Sequence, residues 1–298
     1  MEIKLLQLLS QHNALSIGQL SQALELNTLQ TLAIIARINK LKAGSVISHG
    51  SNYTLSYPLN WLNQNKIEEL LQAQKLDYQV HLLSQTDSTN SYALKHINQL
   101  ANKTIVSCDW QYAGRGRFGR HWLSSIAHDL TASIIYDFPA DFNLQLLPLL
   151  CAVAVNRLLK NYRISNQIKW PNDIYQANSK LKISGILVEN IFRDQINHSV
   201  IGIGLDNLAN WERNQLLVDL VSSLDHLINE FKLFGFALLR REWLDNCLHL
   251  KHNVKILQHG AIIARGIHSD IGEHGELIVQ TATGIQNFSS SAISLRLD

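Results

Sequence analysis

The 298-residue sequence predicts an α+β fold. Three observations carry that reading. Helical apolar spacing dominates the first 60 residues; from about Val80 strands alternate with helices; and after residue 250 short strands are separated by turns. Composition agrees, since 46% apolar and 17% charged residues are those of a globular chain. A net charge of +2 is too mild for bulk nucleic-acid binding and leaves room for a local patch. Cys108, Cys151 and Cys247 are odd in number and far apart, which fits a reducing compartment and shows neither a disulfide nor a metal spacing. The histidines add none, because His249 and His252 sit three apart with no Cys or Glu motif beside them. Met1–Leu9 has no signal-peptide core, and the apolar run Leu146–Val155, interrupted by Pro148, falls short of the ~18–20 residues that span a bilayer. The expected location is cytoplasmic, with no membrane partner.

In chain order, Ile3, Leu5, Leu6, Leu8 and Leu9 begin a first helix, and Ser16 caps a second over Ile17–Leu24. Asn27 or Thr28 caps a third, Thr28–Lys42, with Leu29, Leu32, Ile35, Ile38 and Leu41 at helical spacing and Gly44 ending it. Ser45–Ile47 and Tyr53–Ser56 form a hairpin. Three helices and a hairpin are the layout of a winged helix-turn-helix, whose third helix enters a major groove. Thr28, Gln30, Thr31, Arg37 and Lys40 would then face DNA. The other reading is a wing kept for packing or dimer contacts.

Pro58 and Trp61 mark a linker, and Lys66–Gln74 reads as a helix. Val80–Leu83, Thr104–Ser107, Leu130–Tyr136, Gln167–Trp170, Ser184–Ile191 and Ser199–Leu205 read as strands of a largely antiparallel sheet. Ser91–Gln99 and the apolar Leu147–Lys160 read as helices, the second buried. Val254–Gln258, Ala261–Ile267, Leu277–Thr281, Asn287–Ser289 and Ile293–Leu297 make a small barrel.

Five segments carry chemistry. Gly114–Arg120 packs three glycines and three arginines into seven residues, a cradle for a small anion or else a solvated basic turn. Thr86-Asp87-Ser88-Thr89-Asn90 offers hydroxyls and an amide that either cap a helix or read a polar ligand edge. Lys169-Trp170-Pro171-Asn172-Asp173 ends a strand in a turn whose Asp173 suits a phosphate-borne metal. In Lys180–Glu189 a lysine pair and a glycine open a strand, either a common strand start or a lysine at the strand mouth placed to meet a carboxylate. Ile201-Gly202-Ile203-Gly204-Leu205-Asp206-Asn207, with two glycines alternating with apolar residues, lets a flat ring lie against the backbone, or marks a bulge.

The order and spacing of Asp-Ser-Thr-Asn, Gly-Arg-Gly-Arg-x-Gly-Arg-x-Trp, Lys-Trp-Pro-Asn-Asp, Lys-x-x-Gly-Ile-Leu-Val-Glu and Ile-Gly-Ile-Gly closely resemble those of the biotin–protein ligases. The resemblance spans nearly the whole chain. Residues 1–62 are similar to the winged helix of bifunctional bacterial members, which also repress the biotin operon. Residues 63–250 are similar to their catalytic domain, a mixed, mostly antiparallel class II synthetase-like sheet. Residues 251–298 are similar to their SH3-like C-terminal domain and end in Ala292-Ile293-Ser294-Leu295-Arg296.

The resemblance implies ATP- and Mg²⁺-dependent ligation of biotin, through biotinyl-5′-AMP, to a lysine of the biotin carboxyl carrier protein of acetyl-CoA carboxylase. It also implies operator DNA of biotin genes as a partner and a ligand-promoted homodimer. Lys182, Arg117 and Arg115 match catalytic positions. Ser88, Thr89, Asn90, Gln111, Gly116 and Gly185 join those three around biotin. Arg117, Arg120, Trp122, Lys169, Asn172, Asp173, Gly204 and Asp206 match the nucleotide side, with Asp173 helping to place the metal.

The chain departs from the family at Tyr112, at Ser124–Leu130, at Ser289–Ser291 and at Asp206, where an asparagine is usual. A carboxylate donates to adenine N7 only when protonated, so Asn207 is the alternative donor. Two other readings remain: a biotin-responsive repressor first and foremost, and a lipoate-type ligase.

Overall fold

The computed structural model describes residues 1–41, 45–179, 181–206, 211–290 and 293–298. At the N-terminus the expected helices α1 (Glu2–Gln11), α2 (Ile17–Leu24) and α3 (Thr28–Leu41) form, with strands β1 (Leu15–Ser16), β2 (Val46–His49) and β3 (Asn52–Leu55) in an antiparallel sheet of order β1-β3-β2. Two reciprocal caps set the helix starts. The Ser16 hydroxyl accepts from the Gln19 amide while Gln19 Oε1 accepts from the Ser16 amide, and Asn27 and Gln30 repeat the arrangement at α3. Each cap contributes about 1 kcal/mol. Lys42 and Gly44 lie outside the described residues.

The buried stripe of α3 differs from the expected one. It runs Thr31, Ile34, Ile35 and Ile38, leaving Leu29, Leu32 and Leu41 exposed. The stripe turns because Thr31, placed among the surface residues by the sequence, is fully buried: its hydroxyl donates to the Asn27 carbonyl and lies 2.9 Å from the Ser21 hydroxyl. Thr31 is therefore a packing residue and has no face to offer DNA.

The central unit contains α4 (Gln64–Ala73), β4 (Gln79–Leu83), α5 (Thr89–Lys95), β5 (Thr104–Cys108), β6 (Gly114–Arg115), β7 (His121–Trp122), β8 (Leu130–Pro139), α6 (Leu147–Asn161), β9 (Asn166–Lys169), β10 (Asp173–Gln176), β11 (Lys182–Arg193), β12 (Ile196–Leu205), α7 (Arg213–Phe234) and α8 (Phe236–Asp245). Seven of these strands make one sheet, ordered β4-β5-β8-β12-β11-β10-β9, parallel only between β4 and β5. The helix expected over 91–99 begins earlier, at Thr89, because the Ser88 side chain caps it by accepting from the Ser91 amide, and it ends at Lys95. Strand β10 and helices α7 and α8 have no counterpart in the sequence reading, although Leu216, Leu220, Leu224 and Leu227 lie at helical spacing in α7.

Alternation along the strands sorts the two faces. Ile105, Ile134 and Ile201 point into the main core with α6, α7 and α8, while Val106, Ile135 and Val200 pack under the seven-residue α5. So short a helix covers only part of its face and leaves the β8-β12-β11 region open.

The C-terminal strands β13 (Asn253–Gln258), β14 (Ala261–Ile271), β15 (Leu277–Thr281), β16 (Gly284–Phe288) and β17 (Ile293–Leu297) form an antiparallel sheet of order β16-β15-β14-β13-β17. Its buried Val254, Ile256, Leu277 and Leu295 belong to the same core as α6 and α7. The N-terminal unit has a core of its own, closed by Ile126 and Ala127 from the central unit.

Candidate active site

Strand register builds the cleft. One row of residues on a single sheet face runs Thr131, Gly204, Gly185, Asp173, Lys169 across β8, β12, β11, β10 and β9. The two glycines in its middle leave a trough, and the Trp122 ring lies in it: a Cβ at Gly204 would fall on the indole. The next row on the same face runs Ser133, Gly202, Leu187, and there a Cβ at Gly202 would fall on the Asn90 carboxamide. Glycine at these two positions is thus a requirement of close approach.

The hairpin β6–β7, pairing Gly114 with Trp122, closes over the trough and delivers the arginine-rich loop. A cavity of about 120 Å³ results. Ser88, Thr89, Asn90, Gln111, Gly116 and Gly185 line it, as do Trp122, Asn172 and Gly204. Its charged lining is Arg115, Arg117, Arg120, Lys169, Lys182 and Arg296 against one carboxylate, Asp173. Every position that the sequence assigns to the ligand site lines this cavity except Asp206. That residue follows the last β12 position, where its amide donates to the Ile183 carbonyl. Burial, and next the nearby Asp129, push the Asp206 carboxyl up to about 6. Asn207 lies outside the described residues.

Two hydrogen-bond networks hold the walls. At one end the Thr89 amide and hydroxyl both donate to Gln111 Oε1, at 2.7 and 3.0 Å. Ser133 Oγ lies 2.7 Å from the Thr89 hydroxyl and 2.6 Å from Asn90 Oδ1. Asn90 Nδ2 donates to Glu189, which also takes a two-pronged bond from Arg115, while Arg115 Nε donates to Ser91 Oγ. At the other end Lys182 Nζ sits 2.7 Å from Asp173 and 5.4 Å from the Trp122 ring centre. Arg117 donates to Asn172 Oδ1 at 3.0 Å and to the Ser290 carbonyl, two residues past the end of β16. Burial lowers the pKa of both Arg117 and Lys169, in Lys169 with help from Arg296. One end is thus a hydrogen-bonding pocket in which the Arg115–Glu189 pair leaves no net charge, and the other a cationic one.

Ser133, Glu189 and Arg296 were not singled out by the sequence. Glu189 and Arg296 do end the runs Lys180–Glu189 and Ala292–Arg296; Ser133 carries no signal of its own. Ser88 serves both readings offered for its segment, since it caps α5 and lines the cavity. Far from the cleft, Thr28, Gln30 and Lys40 are exposed on α3, and Arg37 pairs with Glu2 at 2.9 Å. A cluster of half-buried Cys247 with buried His249 and His268 also escaped the sequence, because its members meet only through folding.

The sequence pattern of the Biotin/lipoate A/B protein ligase family matches residues 82–206, and that of the Biotin protein ligase C terminal domain matches residues 249–296. The Bifunctional ligase/repressor BirA of Escherichia coli (strain K12) is 30% identical over 274 residues, covering 83% of this chain and 82% of that one. The Biotin--[acetyl-CoA-carboxylase] ligase of Paracoccus denitrificans is 28% identical over 235 residues, covering 69% and 95%. Among solved structures, the biotin protein ligase from Aquifex aeolicus in complex with biotin and ATP superposes with a TM-score of 0.65 at 26% identity, over 74% of this chain and 99% of the other. Sequence likeness over most of both chains, together with a shared fold around this cleft, makes the chain a member of the biotin–protein ligase family.

Proposed function

We propose that the cleft joins biotin to ATP as biotinyl-5′-AMP and then passes biotin to a lysine of a biotin carboxyl carrier domain, as on acetyl-CoA carboxylase. The observation that carries this reading is the pairing of a neutral pocket with a strongly cationic one along a single glycine-opened trough. Ser88, Thr89, Asn90 and Gln111 suit the ureido head of biotin, with Gly116 and Gly185 beside it. Lys182 suits its carboxylate.

In the first step a carboxylate oxygen attacks the α-phosphorus and pyrophosphate leaves. Arg115, Arg117, Arg120, Lys169 and Lys182 offset the repulsion between the two anions and the charge that grows at phosphorus. In the second step the lysine amine attacks the acyl carbon, AMP leaves and the amine loses a proton. The loop from Gly114 to Trp122 shields the mixed anhydride from water meanwhile.

Asp173 is the one cleft carboxylate among the described residues. That fits Mg²⁺, which is held by one or two carboxylates and the substrate phosphates. When bound, the ion neutralises phosphate charge. Trp122, Asn172 and Gly204 complete the nucleotide side, and Asp206 stands near it.

A mixture of the full chain, biotin, Mg²⁺-ATP and a carrier domain should yield a biotinylated lysine, read by a streptavidin gel shift. No transfer under any condition overturns the reading, and displacement of biotin by lipoate would favour the lipoate branch. Gly202→Ala should weaken biotin binding about tenfold or more by pushing Asn90 off Glu189. Calorimetric titration with biotin checks this, and parent-like affinity would remove Asn90 from the site.

The same reading divides the chain into units 1–62, 63–250 and 251–298, the first a winged helix-turn-helix and the last an SH3-like barrel. Exposed Thr28, Gln30, Arg37 and Lys40 on α3 favour a second role, biotin-dependent binding of operator DNA as a ligand-promoted homodimer. Retention of DNA that weakens with salt and requires biotin supports it; retention indifferent to both opposes it. Among the described residues no helix is long and apolar enough to cross a membrane, in keeping with a cytoplasmic place of work.

A further inference from the structure

Cys247, His249 and His268 bring three ligand-type atoms within 4.8 Å of one another. The separations are 3.0 Å between the two Nδ1 atoms, 3.5 Å from Sγ to His249 and 3.8 Å from Sγ to His268. Tetrahedral zinc spaces such ligands about 3.3–3.6 Å apart, so distance alone invites a metal.

The hydrogens decide otherwise. The Trp170 amide can only donate, and it lies 2.9 Å from His249 Nε2, which is therefore bare. A neutral His249 then carries its proton on Nδ1 and donates it to His268 Nδ1. His268 keeps its own proton on Nε2 and donates it to the Asp270 carbonyl at 2.9 Å. Each nitrogen in the chain from Trp170 to Asp270 is satisfied by this one arrangement. A metal on both Nδ1 atoms would require His249 to lose its only proton.

We propose that His249 and His268 form a proton-ordered, metal-free pair that positions the Trp170–Asp173 turn of the cleft. The proposal rests on the ligase reading for its kinetic consequence, though not for its proton assignment.

Surroundings keep the pair neutral. Both rings are fully buried, with Trp243 edge-on to each. Burial holds His268 down to about 4 and His249 well below its ordinary value; His252, Lys169 and His268 itself add to the second effect. The Asp270 carboxylate acts the other way on His268, and burial pushes the Cys247 thiol up to about 12.

The pair matters because of what Trp170 carries. Its amide is held by His249 and its indole donates to the Gly275 carbonyl at 3.1 Å, so the turn is fastened at two points. Lys169, Asn172 and Asp173 flank that residue and line the cleft. A tilt of Trp170 moves all three. His249 and His268 are positioning residues, since neither touches the cavity.

Nitrogen-detected NMR of the full chain, labelled with ¹⁵N-histidine, should find His249 protonated on Nδ1 and His268 on Nε2. Both rings protonated on Nε2, or one zinc per chain surviving dialysis, overturns the proposal whatever the activity. His249→Leu should raise the KM for ATP about tenfold and leave biotin affinity within about twofold. His249→Gln places an acceptor oxygen as far from the backbone as Nε2 and should recover most of that loss. An unchanged KM for ATP in His249→Leu, or no recovery in His249→Gln, removes the positioning role. Failure of the parent chain to transfer biotin would instead remove the ligase reading and leave the proton assignment standing on the NMR result.

Discussion

Lys182→Ala is expected to slow biotinyl-AMP formation about 10²–10³-fold, the usual cost of losing a donor aimed at charge that develops during reaction. Lys182 opens β11 and reaches into the trough, where its ammonium is shared between Asp173 and the face of Trp122. Truncation removes a cation from the place where two anions meet and leaves Asp173 to repel both. The side chain is 36% exposed, so the fold should lose little. Pyrophosphate release, measured beside the melting temperature, separates the two effects. A fall of less than tenfold in a variant that melts like the parent would exclude Lys182 from charge stabilisation. Lys182→Arg keeps the charge but changes its reach and shape, and should recover only part of the rate.

Arg213→Met carries the largest expected loss of stability, about 3–5 kcal/mol. Arg213 is fully buried at the start of α7. It donates to Asp109 Oδ1 at 2.7 Å and to the carbonyls of Asn60, Cys108 and Asp129 at 2.8, 3.0 and 3.1 Å. One guanidinium thus ties the linker, the end of β5, the approach to β8 and the first turn of α7. Met fills the space but takes a donor away from three carbonyls and leaves Asp109 without its ion-pair partner, though the Leu62 amide still donates to it. Asp109 already feels that environment, because burial raises its pKa despite the neighbouring Arg213. Urea or thermal midpoints check the loss. The double variant Arg213→Met with Asp109→Leu should melt above Arg213→Met alone; equal midpoints would mean that the pair was not the source of the loss.

Chemistry was legible in the sequence wherever residue type alone limits what a segment can do. Arginines alternating with glycines, a lysine at a strand mouth and hydroxyls before a helix all reached the cleft. Geometry was less legible. The row Thr131, Gly204, Gly185, Asp173, Lys169 depends on register across five strands, and no local pattern sets that register. Ser133 and Glu189 belong to the same class of residue, given meaning by a neighbour in space. On α3 the apolar residues at helical spacing offered two adjoining stripes, and the buried Thr31–Ser21 contact selected the one without Leu29, Leu32 and Leu41. His249 and His268 are 19 residues apart, too far for any ligand spacing to announce them. The two glycines of Ile201–Gly204 were expected to admit a flat ring. The ring in the trough is the protein's own Trp122.

Segment 110–127 has one part in the cleft, at Gln111 and Arg115–Trp122, and another in the N-terminal core, at Trp110, Ile126 and Ala127. It is a single covalent lever, both ends held in the N-terminal core and its middle in the cleft. Thermodynamic linkage attaches a condition to such a lever. If filling the cleft changes the affinity of the N-terminal unit for a partner by some factor, that partner changes the affinity of the cleft for its ligand by the same factor. A chain built in this way can report its occupancy only by letting the listener alter it.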